Sequence, residues 1–163
     1  MHRLSNNLFW RWAFATLIIA ILTYIALGHT GTADDASRLR LIPFESYGWS
    51  ISCAATRCGG LQTALYFLFI NVLGNIVVFM PAGFSLFYAF QPIKPRPALA
   101  ATLWGALISL SYEIAQIWIP GRVVATDDVI MNAIGAATGA LAARVAWRFI
   151  STLRTREVIQ DQV

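Results

Sequence analysis

The chain has 163 residues, of which 58% are hydrophobic and only 12% charged, with a mean hydropathy of +0.62 and a formal net charge of +4 at pH 7. A soluble domain does not keep such a surface dissolved, so the composition excludes a soluble enzyme or binding module and leaves an integral membrane protein. The basic residues are scattered over segment ends instead of forming a stripe, which excludes nucleic acid as a partner.

Four apolar segments, 12–28, 65–90, 98–119 and 128–150, each have about the length an α-helix needs to cross a hydrocarbon core of ~30 Å. The predicted fold is therefore all-α, a polytopic bundle of four transmembrane helices. Residues 1–28 form an N-terminal anchor. A signal peptide cut after Gly28 is the alternative reading, but the apolar run of about 17 residues is long for a signal core, and Trp10 and Trp12 sit at an interfacial belt. Residues 29–64 form an extracytoplasmic loop with room for a short surface helix, 65–150 the three-helix core, and 151–163 a cytoplasmic tail. The prolines of "QPIKPRP", residues 91–97, stop the second helix and start the third. Pro81 is expected to kink the second helix by freeing the Val77 carbonyl.

Basic residues are retained on the cytoplasmic side of short loops. An inside N-terminus puts Arg3, Arg11, Lys94, Arg96, Arg144, Arg148, Arg154 and Arg156 inside, against Arg38, Arg40, Arg57 and Arg122 outside. Both termini are thus expected in the cytoplasm, in a multi-pass membrane protein. Cys53 and Cys58 then face an oxidising compartment, where they are either bridged or free thiols. The only histidines, His2 and His29, fall on opposite faces, so no metal or other cofactor is expected.

Placed by depth, the polar residues of three helices converge. Asn71 and Asn75 are spaced i, i+4 on the second helix. Gly105, Ser109 and Glu113 repeat every four residues on the third, with Gln116 completing the stripe. Asp128, Asn132, Gly135 and Gly139 share a face of the fourth. At a rise of ~1.5 Å per residue, Asn71 and Glu113 lie roughly 9 Å below the outer boundary and Asn132 roughly 6 Å. Lipid offers such groups no hydrogen bonds, so they are expected to turn toward one another around an outward-facing polar pocket capped by the "RVVATDD" turn.

Glu113 carries the largest cost, about 3 kcal/mol for an acid at helix centre and less toward the interface. A bound proton, a partner such as Arg122, or hydrogen bonds from Asn71, Asn75 or Gln116 would each offset it. Purely structural roles stand beside the functional ones. Intramembrane asparagines join helices at about 0.6 kcal/mol per bond. Asp127 and Asp128 precede a helix as ordinary N-terminal caps do. Gly135 and Gly139, in "GAATG", give the spacing that lets helices approach closely.

At these residues the chain resembles the VanZ-like family of small bacterial membrane proteins. The matching pieces are "LIPF" (41–44), "NVLGNIVVFMPAG" (71–83), "SLSYEIAQ" (109–116) and "GRVVATDDVIMNAIGAATG" (121–139), covering roughly residues 41–142. The first helix carries no recognisable motif. The family's polar positions fall here on Asn71, Asn75, Glu113, Gln116, Arg122, Asp128 and Asn132. Many relatives carry an acid three residues after the arginine, where this chain has Ala125, so no role of that acid transfers. The resemblance implies a cell-envelope role, since the family's named member is linked to resistance to the lipoglycopeptide teicoplanin.

The leading expectation is an envelope-facing binding protein that meets membrane lipids and takes the head group of a lipid-linked cell-wall precursor or a lipoglycopeptide. The rival is an intramembrane enzyme with Glu113 as general base and Asp128 as acid or as ligand to a divalent cation, although no nucleophile motif, zinc-ligand cluster or phosphate loop accompanies them. A scaffold for another membrane complex is the third reading. A proton-linked transporter fits less well, because the inner half of the bundle is filled by groups such as Phe79, Ala82 and Gly139.

Overall fold

The computed structural model describes residues 2–33, 38–45, 47–48, 52 and 60–160. Cys53 and Cys58, with the disulfide they would form, lie outside the described residues. The helices are α1 (His2–Leu27), α2 (Gly60–Leu68), α3 (Asn75–Phe90), α4 (Pro97–Gln116) and α5 (Thr126–Gln160). A wider π-helical stretch, Phe69–Gly74, joins α2 to α3 without a break. Among the described residues four stretches are long and apolar enough to cross a membrane: Asn7–Leu27, Phe69–Phe90, Pro97–Gln116 and Thr126–Leu153.

The ends of these helices differ from the apolar segments for local reasons. α4 opens on Pro97, whose fixed φ suits a first helical position and whose missing N–H is not needed there. It closes at Gln116, ahead of a turn in which Gly121 takes a φ of 72°. α5 runs to Gln160, past the end of the apolar run, because residues 151–160 contain neither glycine nor proline. Pro81 sits inside α3, as expected.

One feature falls outside an all-helical reading. Leu39–Arg40 (β1) and Val124–Ala125 (β2) pair in parallel, Leu39 with Val124 and Arg40 with Ala125. The loop after α1 follows the turn before α5 even earlier, through Gly31 N–H to Pro120 O (3.1 Å) and Ala33 N–H to Gly121 O (2.9 Å).

The helices pack through small residues. A Cβ at Gly135 would collide with the carbonyl of Ile76, and one at Gly139 with that of Met80, so α5 lies backbone to backbone on α3. Gly83 approaches the Ala136 carbonyl from the α3 side, and Gly105 of α4 meets the Ala136 methyl. Between the helices lie Ala89, Ala101, Ala140 and Ala143, all fully buried, around Leu86 and Phe87. In lipid no hydrophobic force drives helices together, so close van der Waals contact of this kind carries the association. Phe14, Leu17, Val77, Leu103, Leu141 and Val145 point outward, as lipid-facing side chains do.

Candidate functional site

The site is built where α3, α4 and α5 meet the turn 117–125. Asn75 opens α3, Asp128 stands in the first turn of α5, and the Asn75 amide donates to Asp128 Oδ1 at 2.7 Å. One turn deeper, Asn132 Nδ2 donates to Ser109 Oγ at 2.8 Å, both side chains buried. Glu113 is 6% exposed, and its Oε2 accepts the backbone N–H of Ala125 at 2.9 Å. The offset for its burial therefore includes a hydrogen bond from β2. Of the donors foreseen for it, Asn75 donates to Asp128 and Gln116 to Ala26.

Arg122 and Gln116 turn to α1. Gln116 Nε2 donates to the Ala26 carbonyl at 3.0 Å, and Arg122 Nη2 donates to the carbonyls of Ala26 and Ile25. These belong to the last turn of α1, whose carbonyls have no helical partner and carry partial negative charge. The Glu113–Arg122 contact considered from the sequence is not the bond that holds either residue. A second link to α1 lies deeper, where Tyr112 Oη and Thr23 Oγ1 share a hydrogen bond of 2.8 Å.

Asn75, Glu113, Gln116, Arg122, Asp128 and Asn132 line one cavity of about 230 Å³, with Phe79 and Tyr112 among its apolar walls. Two of these groups are incompletely satisfied. Arg122 Nε and Asn132 Oδ1 are buried without a hydrogen-bond partner, one a donor and the other an acceptor. Asn71 does not line this cavity. It lies in the π-helical stretch, whose wider turn breaks the i, i+4 register with Asn75, and it faces a neighbouring cleft of about 210 Å³ with Arg40, Tyr47, Asp127 and Asp128. Asp128 borders both spaces.

Asp127 and Asp128 stand where caps stand, but their carboxylates reach away from their own helix. Asp127 Oδ1 accepts the Phe44 N–H at 2.6 Å, and Thr126 Oγ1 donates to Leu41 O at 3.0 Å. The "LIPF" segment is thus clamped to the start of α5, with Phe44 held at a φ of 65°, a left-handed conformation uncommon outside glycine. Sequence reasoning missed this arrangement and also Arg38. The Arg38 guanidinium donates to the carbonyls of Ile117 (3.0 Å), Ile119 (2.7 Å) and Arg122 (3.1 Å), securing the chain that leaves α4. No local pattern flags it, because its partners are some 80 residues away. Among the described residues no three His, Cys, Asp or Glu side chains are grouped to hold a metal ion.

Tyr47 lines the cleft beside Asn71, with its hydroxyl buried and unpartnered. Burial first, and then the charges of Asp127 and Asp128, push its phenol from 10.0 up to about 12. A proton held more tightly in the folded state gives stability that is complete below the unfolded value and is lost as pH rises through the folded one. Tyr47→Phe should be neutral or stabilising at pH 7, and should flatten the fall in thermal stability between pH 10 and about 12. An identical alkaline limb in the variant would assign that loss to other groups.

Fold and site together define a small polytopic membrane protein that gathers polar side chains around a cavity at one end of its bundle. The VanZ/LLP1 family model matches residues 12–148, and the chain belongs to that family. The match takes in α1 as well as the segments 41–142 that carry the motifs. No curated protein and no solved structure matches the chain.

Proposed function

We propose that the protein binds a polar head group, that of a lipid-linked cell-wall precursor or of an acylated glycopeptide, in the cavity between α3, α4 and α5. The site would face away from the cytoplasm, as the distribution of lysine and arginine favours. One observation carries the reading: an unpaired buried N–H on Arg122 and an unpaired buried oxygen on Asn132, both on residues that line the same cavity. Leaving either group unsatisfied costs about 1–3 kcal/mol, which a ligand can recover if it accepts from the guanidinium and donates to the amide. A phosphate or carboxylate next to a hydroxyl or amide has that pattern. The volume of about 230 Å³ suits a head group and not a whole glycopeptide.

Arg122→Ala is expected to weaken ligand binding roughly 10- to 100-fold, the loss of one charge-assisted hydrogen bond, and to abolish any teicoplanin resistance the protein confers. Membrane abundance should hold, since Gln116 still donates to Ala26. The measurement is susceptibility to teicoplanin beside vancomycin in cells expressing the wild type or the variant, with a C-terminal phosphatase fusion staying inactive if that terminus is inside. Resistance that persists in Arg122→Ala would overturn the reading. Proton chemistry between Glu113 and Asp128 is the second reading, favoured by their shared cavity.

A further inference from the structure

At the opposite end of the bundle a groove of about 530 Å³ opens between the α3–α4 connection and α5, more than twice the volume of the polar cavity. Lys94 and Arg96 form one wall and Arg144 and Arg148 the other. Among the described residues no acidic side chain lines it. The carboxylates whose side chains are described, Glu45, Glu113, Asp127 and Asp128, all lie toward the far end, and the next acid along α5, Glu157, is about 13 Å of helix rise beyond Arg148.

We propose that this groove is a site for the phosphate of an anionic phospholipid. Arg144 and Arg148 are spaced i, i+4, so both exposed guanidinium groups lie on one helix face and repel each other unless an anion stands between them. Across the groove α4 begins without a side-chain cap, and its first helical bond is from Ala100 N–H to Arg96 O. The N–H groups of Ala98 and Leu99 precede that bond and lack helical acceptors, and both residues line the groove. Four cations therefore converge with two free backbone donors. Arg11 is committed to bracing the wall: its Nη1 donates to Gln91 Oε1 at 3.2 Å and Tyr88 O at 3.3 Å, and its guanidinium lies 5.5 Å from the Trp147 ring centroid.

A soluble phosphate offers the same chemistry, but the setting selects a lipid. The groove lies where α3 leaves and α4 enters the membrane span, at head-group level, and Phe87, Leu99 and Trp147 give it an apolar side. Scattered charge that only keeps this end in the cytoplasm would need neither the concavity nor the free amides. The inference uses none of the residues of the polar cavity, so the two proposals stand or fall separately.

The test is native mass spectrometry of the full chain in non-ionic detergent, titrated with dihexanoyl phosphatidylglycerol, dihexanoyl phosphatidylcholine or sodium phosphate. One phosphatidylglycerol is expected to bind, and R144Q/R148Q should weaken it roughly 30-fold, about a factor of five per basic residue. Both arginines are exposed, so the variant should fold, and its unchanged thermal midpoint without lipid checks this. R154Q/R156Q, an equal change of charge on the same helix, should leave binding within twofold. Equal loss in both variants, equal binding of phosphatidylcholine, or sodium phosphate binding as tightly as the lipid would each overturn the proposal.

Discussion

Gly139→Leu is expected to prevent the bundle from assembling, with loss of the monodisperse peak in detergent size-exclusion chromatography and at least 3 kcal/mol of destabilisation, beyond the usual cost of about 1–3 kcal/mol for overpacking. The larger value follows from what the new side chain meets. A collision with a flexible side chain can be relieved by a rotamer change, but the obstacle at Gly139 is the Met80 carbonyl, part of the α3 backbone. Relief requires α3 and α5 to separate, which also draws Gly135 away from Ile76 and Gly83 away from Ala136. Gly74→Ala is the matched control: nothing lies within 4 Å of a Cβ there, so it should be harmless. A well-assembled Gly139→Leu protein would mean that α3 and α5 are not held in backbone contact.

Glu113→Ala is expected to lower stability by about 1–3 kcal/mol and to abolish function, whereas Glu113→Gln should keep most of both. Truncation strands the buried Ala125 N–H, and Ala125 is one of two residues that pair with the strand before "LIPF". The damage should therefore spread from a bond in the bundle to the clamp at Leu41 and Phe44. Glutamine still presents an oxygen to that N–H but carries neither charge nor a transferable proton. Thermal midpoints of both variants measure the structural part, and drug susceptibility the functional part. A Glu113→Gln protein as stable as the wild type yet inactive would replace the binding reading with proton chemistry.

The spans were legible because hydropathy and length are local properties, and so was the gathering of Asn75, Glu113, Gln116, Asp128 and Asn132, since lipid leaves such groups nowhere else to turn. Asn71 was misplaced by the assumption of uniform α-helix across Phe69–Gly74, a stretch whose letters do not announce a wider turn. The two-residue strands, the Arg38 bonds and the reach of Asp127 to Phe44 could not be read in advance. Each joins positions about 80 residues apart and leaves no periodicity in either partner. Arg122 lines the cavity, but its hold on Ala26 was invisible because a carbonyl acceptor is supplied by any amino acid.

That last point reaches beyond Arg122. Among the described residues the polar end grips α1 by main-chain oxygens, those of Ile19, Ile25 and Ala26, and by the Thr23 side chain. A grip of this kind reads where a helix stops, not how it is spelled. The opening span can consequently tolerate wide exchange among apolar residues, so long as its length delivers the same terminal carbonyls and Ala15 stays small enough to be fully enclosed.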